Sequence, residues 1–505
     1  MSLVDVRNLS FTYENSSEEI FSNVSFHFDT DWKLGLVGRN GRGKTTFLRL
    51  LSGDLPSNGA IVSSTAFQYF PPKISGPEKE ITEVLMAEAF PDRNDWEILR
   101  EMDRMKMDSA LFYQPWQTLS FGEKTQLLLS CLFAGGSDFL LIDEPTSHLD
   151  SESRDRIRAY LQRKKSFLLV SHDRETLDLC TDHTISLNRT SIELCQGSFR
   201  VFMENKTRRE KEELSQNIAL EKEIRQLTTA IRQTRMRADS IERKKIGFDP
   251  TKENDRSIST RAFLAAKSKR LQSSRKNMEL RQRREIEEKK RLLRDLEIQE
   301  DLKLYPKVYP GSVLIRAKEL TLHYTDQALF LPVTFEIHTG DRIHLSGKNG
   351  SGKSSLIKAL LGEFDKDRMQ GDLWKASSLE ISVLTQDVSH LSGVPAELAQ
   401  KSGIDPSLYL ALLRKLDLPR EAFSRDIRDY SEGQRKKAAI ALSLAKPAHL
   451  YIWDEPLNYV DIFSRMQLEE LILKYKPTML FVEHDSVFAE KTASKTLTLI
   501  RESDS

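Results

Sequence analysis

The sequence predicts an α/β protein in which two copies of one domain, residues 1–205 and 305–505, are joined by a long antiparallel α-helical hairpin over 206–304. Three observations predict it. The stretch "GRNGRGKTT" from Gly38 returns as "GKNGSGKSS" from Gly347, with Lys44 and Lys353 309 positions apart. Other pairs recur in the same order: "LSFGEK" from Leu119 with "YSEGQR" from Tyr430, "FLLIDEP" from Phe139 with "LYIWDEP" from Leu450, and "LLVSHD" from Leu168 with "LFVEHD" from Leu480. So ordered a repeat marks a duplicated structural unit. Between the copies, from Lys206 to Asp301, the chain turns dense in Lys, Arg, Glu and Gln and nearly free of Pro and Gly.

Within each copy the order is strand, Gly-rich turn, helix, then a later apolar strand ending in Asp-Glu. That is an α/β layout around a sheet. A chain of 505 residues has room for two to four domains at roughly 100–200 residues each. Hydrophobic residues make up 39% and charged residues 30%, the balance of a globular chain. No apolar run approaches the roughly 18–20 residues that span a bilayer, and "MSLVDVRNLS" lacks the basic start and apolar core of a secretory signal. Cys131, Cys180 and Cys195 show no CxxC pairing, which argues against a zinc site or disulfide framework and fits a reducing cytosol.

The connecting segment reads as two helices. Leu220, Ile224, Leu227, Ile231, Ala238 and Ile241 follow a 4–3–4 spacing, with Thr234 in the missing slot. After a break at "KKIGFDPTKENDRS" (Lys244 to Ser257), Leu264, Leu271 and Met278 recur every seven, and the stripe resumes one residue out of phase at Ile286 and Leu293. This is the signature of a helical hairpin with its tip at about 244–261. Arms of roughly 40 residues reach about 60 Å at 1.5 Å per residue. The segment carries 27 Lys and Arg against 18 Asp and Glu, whereas the whole chain has a net charge of only +1. Such an excess suits RNA phosphates, although a solvated coiled-coil face is the ordinary reading of a charge run.

The motifs carry specific chemistry. GxxxxGK[ST] lets backbone N–H groups close around β- and γ-phosphates at a helix N-terminus; its lysine neutralises phosphate charge and its hydroxyl ligates magnesium. The candidates are Gly38, Asn40, Gly41, Gly43, Lys44, Thr45 and Thr46, and Gly347, Asn349, Gly350, Gly352, Lys353, Ser354 and Ser355. Asp143 and Asp454 end apolar strands and would enter the magnesium shell with Thr45 and Ser354. Glu144 and Glu455, one residue on, would polarise the attacking water. His172 and His484 occupy matching slots after apolar strands, where they would touch the γ-phosphate. Tyr13 and Tyr324 precede the two loops and either stack on adenine or simply pack.

These residues in this order resemble the ATP-binding cassette (ABC) superfamily, over both copies. The resemblance implies two ABC-type nucleotide-binding domains that bind ATP with Mg2+ and hydrolyse it to ADP and phosphate. It also implies that the signature of one copy caps the nucleotide of the other: Ser431 and Gly433 over the Lys44 site, Ser120 and Gly122 over the Lys353 site. The protein is then a monomer with intramolecular cassette pairing, and each cradle needs a part from each copy. Phe121 and Glu432 replace the first signature glycine. Gln386, in "SVLTQD", is the expected glutamine that reaches the metal in copy two; in copy one that place falls on Pro72, with Gln68 too early.

A cassette, long helical linker and second cassette resemble the ABC-F family, whose members bind ribosomes. The spacings from Lys44 to Ser120 and from Lys353 to Ser431, 76 and 78, leave no room for an arm insertion in the first copy. The chain runs about twenty residues past His484, without a basic extension. "WKLGLVGRNGRGKTT" from Trp32, "WDEPLNYVD" from Trp453 and "RAFLAAKSKRLQSSRKNMELR" from Arg261 are similar to the antibiotic-resistance subgroup, nearest its Lsa type. That resemblance implies a cytoplasmic protein whose partner is the 70S ribosome, with neither membrane nor DNA. Its linker would pass the E site toward 23S rRNA at the peptidyl-transferase centre and the P-site tRNA, with Lys244, Lys245, Phe248, Arg261 and Phe263 at the tip. Rival readings are a housekeeping translation factor that shares every motif, a transporter ATPase, and a DNA-repair ATPase with a coiled coil.

Overall fold

A computed structural model describes residues 2–13, 19–56, 58–72, 74, 80–136, 138–147, 149–188, 192–246, 276, 280, 281, 284, 286, 302–324, 327–348 and 350–501. The chain divides into two compact units, Met1–Phe202 with Gln299–Ser505, and Met203–Ile298. Among the described residues no helix is long and apolar enough to cross a membrane.

The first unit holds both repeats, and each is built on a parallel sheet. In the first, strands Phe67–Phe70, Phe139–Asp143, Phe167–Val170, Lys33–Gly38 and His183–Leu187 run parallel in that order, and Ile192–Gln196 closes the edge antiparallel. In the second the order is Ile381–Leu384, Leu450–Asp454, Met479–Val482, Arg342–Ser346 and Lys495–Thr498, all parallel. "FLLI" and "FLLV" are buried throughout, as strands covered on both faces must be, and so lack period-two alternation.

Each repeat adds a three-stranded antiparallel sheet. Leu3–Thr12 lies between Glu19–Asp29 and Asn58–Val62; Val313–Leu322 lies between Val333–His338 and Met369–Lys375. A bulge at Asn8 and another at Glu319, both with positive φ, shift the alternation. Val4 and Val6 before the first bulge, and Leu9 and Phe11 after it, therefore all enter the core. Those four pack with Phe28, Leu36, Phe47, Leu141 and Leu168. Leu314, Leu320, Leu345, Leu356 and Leu480 repeat the arrangement in the second copy.

Helices Thr82–Ala89, Asp95–Arg104 and Phe121–Phe133 form a side layer in the first copy; Pro395–Lys401, Pro406–Lys415 and Glu432–Ala445 form it in the second. A polar cluster ties the first layer down. Glu101, 1% exposed, accepts from Tyr160 at 2.7 Å, from Arg104 at 2.5 Å and from Lys164. Burial alone would raise the Glu101 carboxyl, but the Lys164 and Tyr160 donors hold it below its ordinary value.

The second unit is described chiefly through helix Phe199–Ile246. Phe199 and Phe202 start this helix as buried residues of the first unit. At 48 residues it spans about 70 Å. Leu220, Ile224, Leu227 and Ile231 are half-buried along it, and most residues between them are exposed. In the expected second arm Lys276, Leu280, Arg281, Arg284 and Ile286 are helical. Lys244 and Lys245 lie in the last turn of the long helix; Phe248, Arg261 and Phe263 lie outside the described residues.

Replacing Glu101 with Ala strands the buried Tyr160 hydroxyl and the half-buried Lys164 ammonium and should lower unfolding free energy by about 3 kcal/mol. Because the folded carboxyl is depressed, its contribution is full above about pH 4.3 and is lost as pH falls through the lower folded value. Denaturant titrations of wild type and Glu101→Ala at several pH values check both the size and the convergence in acid.

Candidate functional site

Parallel order brings the ends of three strands to one edge: Gly38, Asp143 and Val170 in the first copy, and Ser346, Asp454 and Val482 in the second. Loops leaving this edge carry the chemistry. Gly43 has φ 83°, and a Cβ there would lie 2.5 Å from Ile20, so a larger residue is strained in the turn into helix Lys44–Leu51. The Lys44 ammonium donates to the carbonyls of Gly38 (2.8 Å) and Arg39 (3.2 Å), and Lys353 donates likewise to Gly347 (2.7 Å) and Lys348 (2.9 Å). Burial lowers both lysines, against the pull of neighbouring carboxylates.

In each copy the hydroxyl of the phosphate-binding loop meets the aspartate that ends the apolar strand. Thr45 Oγ1 donates to Asp143 Oδ2 at 2.8 Å, and Ser354 Oγ to Asp454 Oδ2 at 2.9 Å. A hydroxyl and a carboxylate, both hard oxygen donors beside a phosphate-binding loop, fit Mg2+, which keeps most of its shell for water and phosphate. Bound there, the ion would neutralise charge on the phosphates. Tyr13 Oη lies 2.9 Å from Thr46 Oγ1, and Ser355 Oγ donates to Tyr324 Oη at 3.2 Å. Both tyrosine rings are exposed beside their loops. Asn349 lies outside the described residues.

Glu144 and Glu455 leave their strands in the left-handed region, φ 51° and 47°. Such backbone strain in a non-glycine residue is characteristic of functional sites. Each Glu N–H donates back to the adjacent strand, to Val170 and Val482. His172 Nε2 is 3.3 Å from Glu144 Oε1, and His484 Nε2 is 3.6 Å from Glu455 Oε1. The two carboxylates differ. Burial, then Asp143, pushes Glu144 up to about 7. Burial also works against Glu455, but His484 and Asn458 hold it below its usual value.

The sites also differ in what the partner copy contributes. Around Lys44 is a cavity of about 640 Å³, lined by Lys44, Thr45, Asp143, Glu144 and His172 from one copy and by Ser431, Gly433, Tyr459 and Arg465 from the other. That volume suits a small-molecule ligand. Asn40 Nδ2 donates to Tyr459 O at 2.7 Å, and Arg39 pairs with Asp417 at 3.2 Å. A Cβ on Gly433 would sit 2.6 Å from Asn40 Nδ2. Ser431 and Ser120 cap their helices in matching capping boxes, accepting from Gln434 N and Glu123 N.

Around Lys353 two cavities of about 420 Å³ open. The first copy lines them with Asp150, Ser151, Glu152 and Arg154; Ser120 and Gly122, expected there, are not in their walls. Gln386 Nε2 donates to Glu455 Oε2 at 2.8 Å. In the first copy Gln68 donates instead to Asp138, and Tyr69 Oη donates to Asp143 Oδ2 at 2.9 Å. Burial and Asp143 push the Tyr69 phenol up.

Sequence reading passed over Tyr69, Arg154, Arg465 and the buried pair Lys437–Asp461, 2.6 Å apart. Arg154 and Arg465 lie four residues after Asp150 and Asp461 in matching slots of the repeat, a signal that was there to read. Arg154 donates to His484 O in the other copy at 3.0 Å.

Comparison with known proteins agrees with this geometry. A family model described as ABC transporter matches residues 21–147 and 330–458. The chain belongs to the ABC transporter family. It is an ATPase of that family's nucleotide-binding type. It is 28% identical to "Ribosome protection protein VmlR" of Bacillus subtilis, over 98% of this chain and 86% of that one. It is also 28% identical to "ATP-binding protein Uup" of Caulobacter vibrioides, over 99% of this chain and 77% of that one. Among solved structures, the archaeal ribosome recycling factor aABCE1, crystallised with stalk protein aP1, has the same fold, with a TM-score of 0.61 at 19% identity over 98% of this chain and 88% of that one.

Gly433→Ala should keep the Lys44 site from closing and lower ATP turnover roughly tenfold or more, the scale of 1–3 kcal/mol of overpacking. Steady-state phosphate release, compared with an unaltered thermal melt, checks it.

Proposed function

We propose that this ATPase works on the ribosome and protects it from antibiotics that act at the peptidyl-transferase centre. One observation carries the reading: the two cassettes are joined by a segment, Lys206 to Asp301, with 27 basic against 18 acidic residues, in a chain that aligns over 98% of its length with a ribosome protection protein. A basic helical segment of that reach follows RNA phosphates, with affinity that falls as salt rises. ATP closes the cassettes on each other, and closure presents the linker to the E site. The tip about 244–261 then approaches 23S rRNA and the P-site tRNA, and the drug leaves. Glu144 and Glu455 activate water, the clamp opens, and the protein is released to the cytoplasm.

Lincosamides, streptogramin A and pleuromutilins are the drug classes, on the strength of the short stretches similar to the Lsa type. A housekeeping role on stalled ribosomes is the second reading, favoured by equally extensive similarity to Uup, whose name carries no drug.

The Glu144→Gln, Glu455→Gln double variant should hold ATP and co-sediment stably with 70S ribosomes. Nucleotide-bound protein that stays in the supernatant would refute the ribosome reading. Deleting Lys244 to Ser257 should abolish protection in a lincomycin-inhibited translation assay and leave ribosome binding intact; full protection by the deleted protein would remove the tip from the mechanism.

A further inference from the structure

The strand pairing gives the same correspondence between the copies as the motif spacing and extends it to the edge strands. Tyr69 pairs with Leu141, and Val383 with Ile452, each partner lying two residues before its Walker aspartate. Tyr69 and Val383 are therefore equivalent, as are Pro72 and Gln386. In the Lys353 site an amide reaches the carboxylate pair from the loop after the edge strand, through Gln386 Nε2 to Glu455 Oε2 at 2.8 Å. Pro72 has no polar side chain to do this. Instead a phenol reaches the pair from within the strand, through Tyr69 Oη to Asp143 Oδ2 at 2.9 Å. Val383 has no such group.

Asp143 Oδ2 thus accepts from two hydroxyls, Tyr69 at 2.9 Å and Thr45 at 2.8 Å. The Thr45 hydroxyl belongs to the metal-binding motif and must turn its lone pairs to a cation when one binds. The Tyr69 donor is free of that duty and can hold the carboxylate in place throughout. Arg49, on helix Lys44–Leu51, lies against the same phenol oxygen, so the ring is fixed from both the strand and the helix. A donor that orients a ligating carboxylate is a common means of tuning metal affinity.

We infer that Tyr69 is a positioning residue for magnesium in the Lys44 site, aiming the Asp143 carboxylate; the other site has Val383 at that place in the strand. The inference rests on the reading of Thr45 and Asp143 as the magnesium donors.

The test uses the full chain carrying Lys353→Ala, so that nucleotide is read at the Lys44 site, with a fluorescent N-methylanthraniloyl ATP as probe. Affinity is titrated in EDTA and then against rising free Mg2+. Adding Tyr69→Phe should raise the Mg2+ needed for half-maximal effect roughly tenfold and leave the EDTA affinity unchanged. An unmoved Mg2+ requirement, or an equal loss in EDTA and in Mg2+, overturns the inference; the second outcome makes Tyr69 merely structural. If Mg2+ has no effect even with Tyr69 present, the magnesium reading of Thr45 and Asp143 fails first and takes this inference with it. A melt without nucleotide shows whether Tyr69→Phe is folded, and Tyr69→His, which keeps a ring donor, should recover part of the Mg2+ response.

Discussion

The parallel order of three strands governs everything at the nucleotide sites. Lys33–Gly38 and Phe139–Asp143 both flank Phe167–Val170, and all three end at the same edge. The P-loop, the Asp-Glu pair and the histidine are far apart in sequence, yet each is the first thing to leave its strand. An antiparallel neighbour would send one of them to the opposite edge. The 2.8 Å contact of Thr45 with Asp143 is the result, and the second copy reproduces it with Ser354 and Asp454 at 2.9 Å.

Duplication of the frame has not kept the two sites alike. Arg39 and Arg42 both face Asp417 of the other copy. Asp417 sits at φ 64°, just past helix Pro406–Lys415. The matching turn after Asp95–Arg104 carries Lys106 at φ 58°, and the matching loop positions are Lys348 and Ser351. A lysine cannot make with Lys348 the pair that Asp417 makes with Arg39. Charge complementarity therefore favours one face of the clamp over the other. Phe121 against Glu432, and Pro72 against Gln386, add to the same divergence.

What was legible in the sequence was whatever a local pattern encodes. Glycines at fixed offsets, a lysine followed by a hydroxyl, and apolar strands ending in Asp-Glu each announce their chemistry, and their repetition gave the domain plan. The substitution of Pro72 for a glutamine was visible from spacing. Its consequence was not, because Tyr69 acts through the direction of its side chain across a strand rather than through a motif. Asp417 was invisible for a related reason: it lies in an undistinguished turn whose partner is almost four hundred positions away. At Lys353 the family resemblance implied capping by Ser120 and Gly122, and the first copy lines the two cavities there with Asp150, Ser151, Glu152 and Arg154.

The contacts between the copies also explain why nucleotide should control their closure. Arg39–Asp417 and Ser486–Glu175 are partly exposed, and such contacts contribute about 0–1 kcal/mol each. Arg174–Glu469, at 2.6 Å, is buried, and a buried pair roughly breaks even against its desolvation. These ion pairs and hydrogen bonds therefore contribute little to holding the copies together. A polyphosphate between Lys44 and the N-terminus of helix Glu432–Ala445 meets a cation on one side and free backbone N–H groups on the other. In the proposed cycle it would bind the closed arrangement better than the open one, and only such a difference in affinity can shift the equilibrium. In the proposed cycle, cleaving the terminal phosphate would remove that bridge between the copies. Hydrolysis in this design ends an interaction, which is the role a clamp requires of it.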